Sequence, residues 1–161
     1  MESQPDRVVI GLISDTHGLL RPSVHDALAG VSIILHAGDV GGHEILDELG
    51  IIAPVHAVYG NTDPQGDPLL KENFHLHAGG LSIHVSHGHE LGSPTPKKLL
   101  ERYPADIIVY GHTHRQNVFR SDGRLVINPG AAGPRRFNLA PSVARLTIAG
   151  GAAEVEIVPL G

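Results

Sequence analysis

The chain has 161 residues, of which 41% are hydrophobic and 18% charged, so we predict one folded domain over residues 1–161. Its formal net charge of -5 has the wrong sign for a protein that neutralises many phosphates, and a nucleic-acid polymer is not an expected partner. Cysteine is absent, which excludes disulfides and thiolate metal sites. We find no signal peptide and no apolar run of membrane-spanning length, so we expect a cytoplasmic protein without membrane contacts.

The first half of the chain alternates apolar runs with helical patterns. Runs of strand length predict buried strands at 7–13, 31–35 and 55–59. Between these strands, apolar residues recur at helical spacing around 24–28 and again from Ile45, and Gly50 is predicted to end the second helix. The alternation of strand, helix and strand indicates a βαβ sheet.

The second half is predicted to be richer in strands. Segments 74–78 and 81–86 flank Gly79-Gly80, which is typical of a β-hairpin. Thr95, followed by a proline, indicates the start of a short helix. Further strands are predicted at 107–110, 116–120, 125–127, 142–148 and 152–158. The last four are expected to form a β-meander and a second sheet, which gives an α/β sandwich.

Five polar clusters share one position, since each follows directly after a predicted apolar strand. They contain Asp15 and His17, then Asp39, then Asn61 and Asp63, then His87 and His89, and finally His112 and His114. The carboxyl ends of parallel strands meet at one edge of an open α/β sheet, so we expect these side chains to converge. Each cluster alone fits a turn, a helix cap or a surface histidine, but five in the same position indicate a site.

The residue types in these clusters indicate a metal site. In an extended segment, residues i and i+2 lie on the same side, about 7 Å apart, so each Asp-x-His or His-x-His pair can hold an ion. Carboxylate, imidazole and amide ligands without thiolate suit Mn, Fe, Ni or Zn better than Ca or Mg. Asp39 is the only carboxylate of its loop, which makes it the natural bridge between two ions.

These motifs, in this order and spacing, resemble the calcineurin-like metallophosphoesterase superfamily across about residues 8 to 130. The short length and the later Asn128-Pro129-Gly130 resemble its small bacterial and archaeal phosphodiesterase branch, which is related in fold to the retromer subunit Vps29. The resemblance implies a four-layer α/β/β/α sandwich of two mixed β-sheets flanked by helices. It also implies two divalent metal ions, with manganese as the first expectation and nickel, iron or zinc as alternatives.

The resemblance also assigns the ligands of the two ions. It gives Asp15, His17 and His114 to one ion, Asn61, His87 and His112 to the other, and Asp39 to both. The implied activity is a phosphodiesterase that hydrolyses a small-molecule phosphodiester through in-line attack by a metal-bridging hydroxide. Asp39 and Asn61 are therefore expected to be catalytic as well as metal-binding.

One position departs from the family pattern. Many members have a histidine where this chain has Thr62, and that histidine protonates the leaving group or steadies the phosphate. A threonine hydroxyl cannot act as an acid at neutral pH, so we expect aryl diesters to turn over faster than alkyl diesters. His89 is a candidate substitute acid, and a supporting role beside the site is the alternative.

Two other functions stay open at this point. One is a catalytically weak or inactive Vps29-like protein-binding scaffold, although seven retained ligands favour an enzyme. The other is a phosphomonoesterase, which needs additional positive charge, and the candidates are Arg115, Arg135 and Arg136. Of the remaining histidines, His36 lies just before Gly38-Asp39 and is a candidate for supporting the site, whereas His75, His77 and His84 are interpreted as ordinary half-buried or surface residues. The sequence does not decide between a monomer, a homodimer and a higher oligomer.

Overall fold

A computed structural model describes residues 7–136 and 138–161 of the chain. The expected lack of a signal peptide depends on residues 1–6, which lie outside the described part. The strands are β1 (Val8–Ile13), β2 (Ile33–His36), β3 (Val55–Val58), β4 (Leu70–Lys71), β5 (Phe74–Ala78), β6 (Leu81–Val85), β7 (Ile107–Val109), β8 (Asn117–Ser121), β9 (Arg124–Asn128), β10 (Ser142–Ala149) and β11 (Ala152–Pro159). The α-helices are α1 (Ser23–Ala27), α2 (His43–Ile52) and α3 (Pro96–Arg102), and a short 3-10 helix covers His89–Leu91.

The first sheet has the order β11-β10-β1-β2-β3-β4. Strands β1 to β4 are parallel, so their carboxyl ends lie at one edge, whereas β10 is antiparallel to β1 and β11 is antiparallel to β10. The predicted strands at 7–13, 31–35 and 55–59 are confirmed to within two residues at each end. The two-residue strand β4 has no apolar run that could have predicted it.

The second sheet has the order β5-β6-β7-β9-β8. The predicted hairpin is confirmed as β5 and β6, with His75 opposite His84. The prediction that the last four strands form a second sheet of their own is wrong. Strands β8 and β9 extend the sheet of β5 to β7, while β10 and β11 join the first sheet. Strand β10 pairs with β1, as in Leu12 opposite Ala144, and no local sequence pattern reveals a partner so far away in the chain.

Three apolar cores lie between four layers, which confirms the α/β/β/α sandwich. Successive residues of β1 point to opposite faces, so Leu12 packs between the two sheets and Ile13 packs beneath the helices of the first sheet. Leu49 of α2 belongs to that second core, and Leu99 of α3 packs on the outer face of the second sheet. Each such fully buried side chain contributes about 1.5–3 kcal/mol.

The helix boundaries differ from the prediction at one place. Helix α2 continues past Gly50 to Ile52, because Ala53 is buried in the same core and its amide donates to the carbonyl of Leu49 at 3.2 Å. This burial outweighs the cost of a glycine inside a helix, about 0.5–1 kcal/mol. The predicted start of α3 is confirmed, since the Thr95 hydroxyl accepts from the Lys98 amide. Within residues 7–136 and 138–161, no helix is long and apolar enough to cross a membrane.

Candidate metal centre

The predicted ligands meet at one edge of the sandwich, where the loops after β1, β2, β3, β6 and β7 come together. We call this set the rim, and it consists of Asp15, His17, Asp39, Asn61, His87, His112 and His114. Parallel β1, β2 and β3 supply the first four residues, and parallel β6 and β7 supply the other three. The rim thus forms where the carboxyl ends of both sheets adjoin, as the strand pattern predicts.

Two carboxylates occupy the middle of the rim. Asp15 Oδ1 lies 3.7 Å from His17 Nε2, 3.8 Å from His87 Nε2 and 3.5 Å from His114 Nε2. Asp39 Oδ2 lies 3.3 Å from His87 Nε2 and 3.5 Å from His17 Nε2. Ligand atoms about 2.0–2.2 Å from one ion are about 3–3.6 Å apart, so most of these separations suit ligands of a shared ion.

The distances define two compact groups of metal-binding side chains. In each group the ligand atoms lie within 4.8 Å of one another, and the groups are Asp15, His17 and His114, and Asp15, Asp39 and His87. Asp15 is common to both groups. Asp39 also touches members of both, through His17 at 3.5 Å and His87 at 3.3 Å. Either carboxylate is therefore placed to reach two ions.

The two remaining rim residues adjoin His87. Asn61 Oδ1 lies 3.1 Å from His87 Nε2, and the His112 ring centroid lies 5.2 Å from that of His87. The backbone amide of His112 donates to Asp15 Oδ2 at 3.2 Å, although its side chain belongs to neither group of three. All seven predicted ligands thus lie together at one rim.

The backbone of the rim is strained. Asp15, His17, Asp39, His112 and His114 all have positive φ, between 46° and 72°. Residues other than glycine avoid this left-handed region, at a cost on the order of 1–3 kcal/mol each. Sequence reasoning did not detect this strain. Five such residues in one cluster indicate that their side chains are held for a function.

Two glycines let the loops that carry the predicted metal ligands approach one another closely. A β-carbon at Gly60 would overlap Asp39 Oδ1, and one at Gly111 would overlap the Ser14 hydroxyl and crowd Asp15 Oδ2. The glycines of the Gly-Asn and Gly-His motifs are therefore needed for space beside the carboxylates.

Hydrogen bonds turn one oxygen of each carboxylate toward the centre of the rim. The Ser14 hydroxyl donates to Asp15 Oδ2 at 2.6 Å, which leaves the buried Oδ1 without a hydrogen-bond partner. The amide and hydroxyl of Thr62 donate to Asp39 Oδ1 at 3.0 and 2.8 Å, which leaves Oδ2 facing His17 and His87. Thr62 thus orients a carboxylate in this chain.

The histidines present acceptor nitrogens to the same centre. Nδ1 of His87 lies 2.7 Å from the Ala37 carbonyl and donates to it, so Nε2 faces the carboxylates. Nε2 of His17 is buried and has no hydrogen-bond partner. An unpartnered carboxylate oxygen beside an unpartnered imidazole nitrogen is costly without a bound group. The donor set therefore fits a divalent cation that accepts oxygen and nitrogen ligands.

Asp63 supports the rim from behind and is not aimed at its centre. Its carboxylate accepts from the backbone amides of Val40, Gly41 and Gly60 at 2.9, 3.1 and 3.0 Å. It thereby ties the loop after β3 to the loop after β2. The ligand assignment implied by the resemblance likewise gives Asp63 to neither ion.

His36, at the end of β2, joins two other ligand loops. Its Nδ1 accepts from the Gly38 amide at 3.1 Å, and its Nε2 lies 3.0 Å from the Thr16 hydroxyl. That hydroxyl donates to the Val40 carbonyl, so it accepts a hydrogen bond from His36 Nε2. Burial lowers the pKa of His36 to about 4, which keeps the ring neutral and fixes this pattern.

The carboxylates of the rim are anionic at neutral pH. Burial, the largest influence, acts to raise the pKa of Asp15, but nearby His17 and His87 and the Ser14 hydroxyl hold it below its usual value. Burial likewise opposes the ionisation of Asp39, and contacts with His87 and Thr62 outweigh it and lower its pKa. Both groups are therefore ready to bind a cation.

The imidazoles differ in their affinity for protons. Burial lowers the pKa of His112, and the charge of His87 acts in the same direction. Burial also lowers the pKa of His114, with Asp15 opposing and His17 and Arg136 adding to the shift. Burial acts to lower the pKa of His87 too, but Asp39 and Asp15 raise it overall. Neutral His112 and His114 are competent ligands, whereas His87 has the higher proton affinity and a cation competes with the proton for its Nε2.

His89 lies close to the rim, at the start of the short 3-10 helix. Its ring centroid is 5.3 Å from that of His87 and 6.4 Å from that of His112. Its Nδ1 is buried without a hydrogen-bond partner. Arg115, Arg135 and Arg136 are exposed, and the positive charge of Arg136 contributes to the lowered pKa of His114.

Comparisons with known proteins identify the family of the chain. A model of the calcineurin-like phosphoesterase superfamily domain matches residues 8–151. A probable metallophosphoesterase of Methanothermobacter thermautotrophicus is 33% identical over 96% of this chain and 94% of its own length. Phosphodiesterase MJ0936 of Methanocaldococcus jannaschii is 27% identical over 75% of this chain and 82% of its own length.

A solved structure confirms the fold. Vacuolar protein sorting 29 from Cryptosporidium parvum superimposes with a TM-score of 0.77, covering 96% of this chain and 98% of that one at 24% identity. The first relative covers 96% of this chain, and residues 8–151, which the family model matches, contain all seven positions of the rim. The chain therefore belongs to the calcineurin-like phosphoesterase superfamily.

Proposed function

We propose that the protein is a dinuclear metal-dependent phosphodiesterase, in which the rim holds two divalent ions. The observation that carries this proposal is the pair of three-residue groups, which share Asp15 and lie at one edge of the sandwich. The buried and unpartnered Asp15 Oδ1 supports it, because a bound cation would satisfy that oxygen. Family membership supports metal-dependent hydrolysis of a phosphoester in general.

The proposed ligands are those that the family resemblance implies. The first compact group supports the first set, whereas the second group contains Asp15 and Asp39 beside His87 and lacks Asn61 and His112. Asp15, His17 and His114 would hold one ion, Asn61, His87 and His112 the other, and Asp39 both. Manganese is the first candidate, and nickel, iron and zinc suit the same oxygen and nitrogen donors. Two bound ions would acidify a water molecule between them and neutralise charge on the phosphoryl oxygens during an in-line displacement.

The chain's own groups prepare the site for an anionic substrate. Two ionised carboxylates against two dications leave a net positive charge at the rim, on a chain whose formal charge is -5. Thr62 holds Asp39 in place through two hydrogen bonds and does not offer an acidic proton. His89 lies near enough to His87 and His112 to be the candidate proton donor to the leaving group.

The substrate class that best suits this rim is a small-molecule phosphodiester. A diester carries one negative charge on phosphorus, whereas a monoester carries up to two and needs an additional cationic clamp. The candidate arginines at 115, 135 and 136 are exposed. The weak provision for acid catalysis favours aryl diesters, whose leaving groups depart without protonation.

A Vps29-like scaffold is the second candidate function. The superposition on vacuolar protein sorting 29 over 96% of the chain favours it. A catalytically weak rim that supports protein contacts would explain the likeness without substrate turnover. Activity separates the two proposals, because a scaffold does not require metal-dependent hydrolysis.

The test compares hydrolysis of bis-p-nitrophenyl phosphate with that of p-nitrophenyl phosphate. The metal-free protein is reconstituted separately with Mn²⁺, Ni²⁺, Zn²⁺ and Mg²⁺, and two bound ions per chain are checked by elemental analysis. We expect metal-dependent turnover that favours the diester and is lost in Asp39→Asn. His43→Gln, a change on the exposed surface of α2, serves as the matched control. Two bound ions without turnover of either ester would contradict the proposal and favour the scaffold.

A further inference from the structure

The four edge strands of the two sheets are protected to different degrees. They are β11 and β4 in the first sheet and β5 and β8 in the second. Strand β11 exposes the charged Glu154 and Glu156, β4 has only two residues, and β5 exposes two histidines. Strand β8 instead exposes Val118 and Phe119, which are 42% and 41% accessible. Charge and short length keep an edge from pairing with another chain, so β8 is the edge that is open to such pairing.

The backbone of β8 has unused hydrogen-bonding groups along this edge. The Leu125 amide of β9 donates to the Asp106 carbonyl at 2.9 Å, so the backbone groups of Leu125 face β7 and not β8. Arg120 lies directly opposite Leu125 in the antiparallel register, and the two therefore form a pair without mutual hydrogen bonds. The amides and carbonyls of Arg120 and of Val118, two residues away, consequently point outward from the edge of the sheet.

The side chains of β8 present a different surface on each face. The Arg120 guanidinium donates to the Ala153 carbonyl of β11 at 2.8 Å, so the even-numbered side chains of β8 point toward the first sheet. Phe119 points to the opposite, outer face. There it lines an open groove of about 480 Å³ beside α3. A second strand laid along β8 places an apolar side chain next to Phe119 in this groove.

The charges of the groove match those of a second copy of the same surface. The charged residues that line it are Lys97, Glu101, Asp122 and Arg124, two of each sign. Helix α3 connects the parallel strands β6 and β7, so it runs back along the groove with Lys97 near one end and Glu101 near the other. A two-fold axis perpendicular to the sheet reverses this direction, which turns the positive end of one α3 toward the negative end of the other.

The sequence of β8 also favours one register. With Phe119 on the two-fold axis, it meets its own copy, Arg120 lies opposite Val118, and Asp122 lies opposite Gln116. The outward backbone groups of Val118 and Arg120 then bond to each other across the axis, and like charges are not opposite each other. A shift that puts Arg120 on the axis sets two guanidinium groups together, which is unfavourable.

We infer that β8 binds a second copy of this chain, in a homodimer whose two β8 strands pair antiparallel about a two-fold axis at Phe119. The second sheets of the two copies then form one continuous sheet, and each copy satisfies the open edge of the other. Strand β8 begins at Asn117, three residues after His114 of the rim, so the reversed strands carry the two rims to opposite ends of the dimer. The inference goes beyond the proposed phosphodiesterase activity and does not depend on it.

The first test measures the dimer dissociation constant of the full protein by analytical ultracentrifugation over a range of concentrations. Val118→Pro removes an outward amide that β9 does not use, and proline is tolerated at such an edge position. Val118→Thr retains the amide and the branched shape and is the matched control. We expect wild type and Val118→Thr to dimerise alike, and the dissociation constant of Val118→Pro to be at least about tenfold higher, because symmetry removes the hydrogen bond twice. Circular dichroism checks the fold. A wild type that stays monomeric, or a folded Val118→Pro that dimerises as the wild type does, would overturn the inference.

The second test does not depend on the folding of the proline variant. The chain has no cysteine, so Phe119→Cys places a single thiol of each copy on the proposed axis. In such a pair without mutual hydrogen bonds the Cα atoms are about 4.5 Å apart, which suits a disulfide. Val118→Cys is equally exposed, but its two copies are diagonal neighbours about 7–8 Å apart, beyond disulfide range.

Both cysteine variants are treated with the thiol oxidant diamide at a concentration at which the wild type is dimeric. Non-reducing electrophoresis is expected to show a covalent dimer for Phe119→Cys and a monomer for Val118→Cys. Equal cross-linking of the two variants, or cross-linking of neither, would show that the β8 strands do not pair about Phe119.

Discussion

The rim and the His75–His84 pair both bring imidazoles together, but by different structural means. The rim uses five loops, and five of its seven residues have positive φ. The pair lies on two regular strands in direct register, and neither of its residues has positive φ. Strained loops can direct many side chains to one point, while a hairpin brings two imidazoles together at no conformational cost. We therefore expect the rim to depend on its supporting contacts and the pair to depend on strand register and on the stack of His84 on Tyr103.

The largest expected effect is that of Asp39→Asn. The change removes the negative charge that reaches both His17 and His87 but keeps the size of the side chain. We expect kcat/KM for bis-p-nitrophenyl phosphate to fall at least about 10³-fold, because removing even a supporting partner of a metal ligand costs 10- to 100-fold. Circular dichroism checks that the fold is retained. Activity within tenfold of the wild type would show that Asp39 is not needed in the rim.

Asp63→Asn tests whether the rim needs its loop connections. The carboxylate accepts three backbone amides, and an asparagine leaves at least one of them facing an NH₂ group. We expect metal affinity of the rim to fall 10- to 100-fold and the free energy of unfolding to fall by about 2 kcal/mol. Metal titration and urea unfolding measure the two effects.

Asp67→Asn is the matched control for this change. Asp67 lies in the same loop and accepts from the Leu69 amide and His43 at the surface. Both of these partners lie outside the rim, so replacement of Asp67 is expected to leave metal affinity unchanged. Equal metal affinities of Asp63→Asn and wild type would mean that the rim does not depend on this connection.

The pH dependence of stability tests the neutral state of His36. Burial lowers its pKa to about 4 in the folded chain, against about 6.5 when unfolded, so the unfolded state binds more protons between these values. Stability is therefore lost as the pH falls through this window. From pH 7.5 to pH 5, His36 is expected to cost the metal-free protein about 2 kcal/mol.

The measurement compares urea unfolding of the wild type and His36→Gln at the two pH values. Glutamine offers a donor and an acceptor to Thr16 and Gly38 but does not titrate. The raised pKa of His87 has the opposite effect on stability, and both proteins retain this residue, so their difference reports on residue 36 and its interaction with His87. An equal fall in stability for both proteins would show that His36 does not carry the effect.

The sequence predicted the positions of the rim residues better than the way they are held. Each predicted ligand follows a strand that an apolar run identifies. Because these strands are parallel, their carboxyl ends meet at one edge and bring the predicted ligands together. The positive φ of Asp15 or His114 depends on packing between loops that are distant in the chain, and no local pattern shows it.

The same distinction explains why the sequence predicts the wrong sheet for the C-terminal hairpin of β10 and β11. The pairing of β10 with β1 joins Val8 to Ile148, and only tertiary contacts decide it. In contrast, the opposition of His75 and His84 follows from the hairpin that Gly79-Gly80 predicts, because two-residue turns fix the register. The register was predictable from the sequence, but the burial of His84 against Tyr103 is visible only in the structure.

The smallest expected effect is that of Thr62→Val, which removes one hydroxyl from the support of the rim. The backbone amide of Thr62 still donates to Asp39 Oδ1, so only the 2.8 Å hydroxyl contact is lost. A partly buried hydrogen bond of this kind contributes about 1 kcal/mol, and we expect kcat/KM for the aryl diester to fall about fivefold. Thr62→Ser retains the hydroxyl and is expected to keep wild-type activity. A loss of 10² or more in Thr62→Val, with Thr62→Ser unaffected, would mean that this hydroxyl acts on the substrate and does more than orient Asp39.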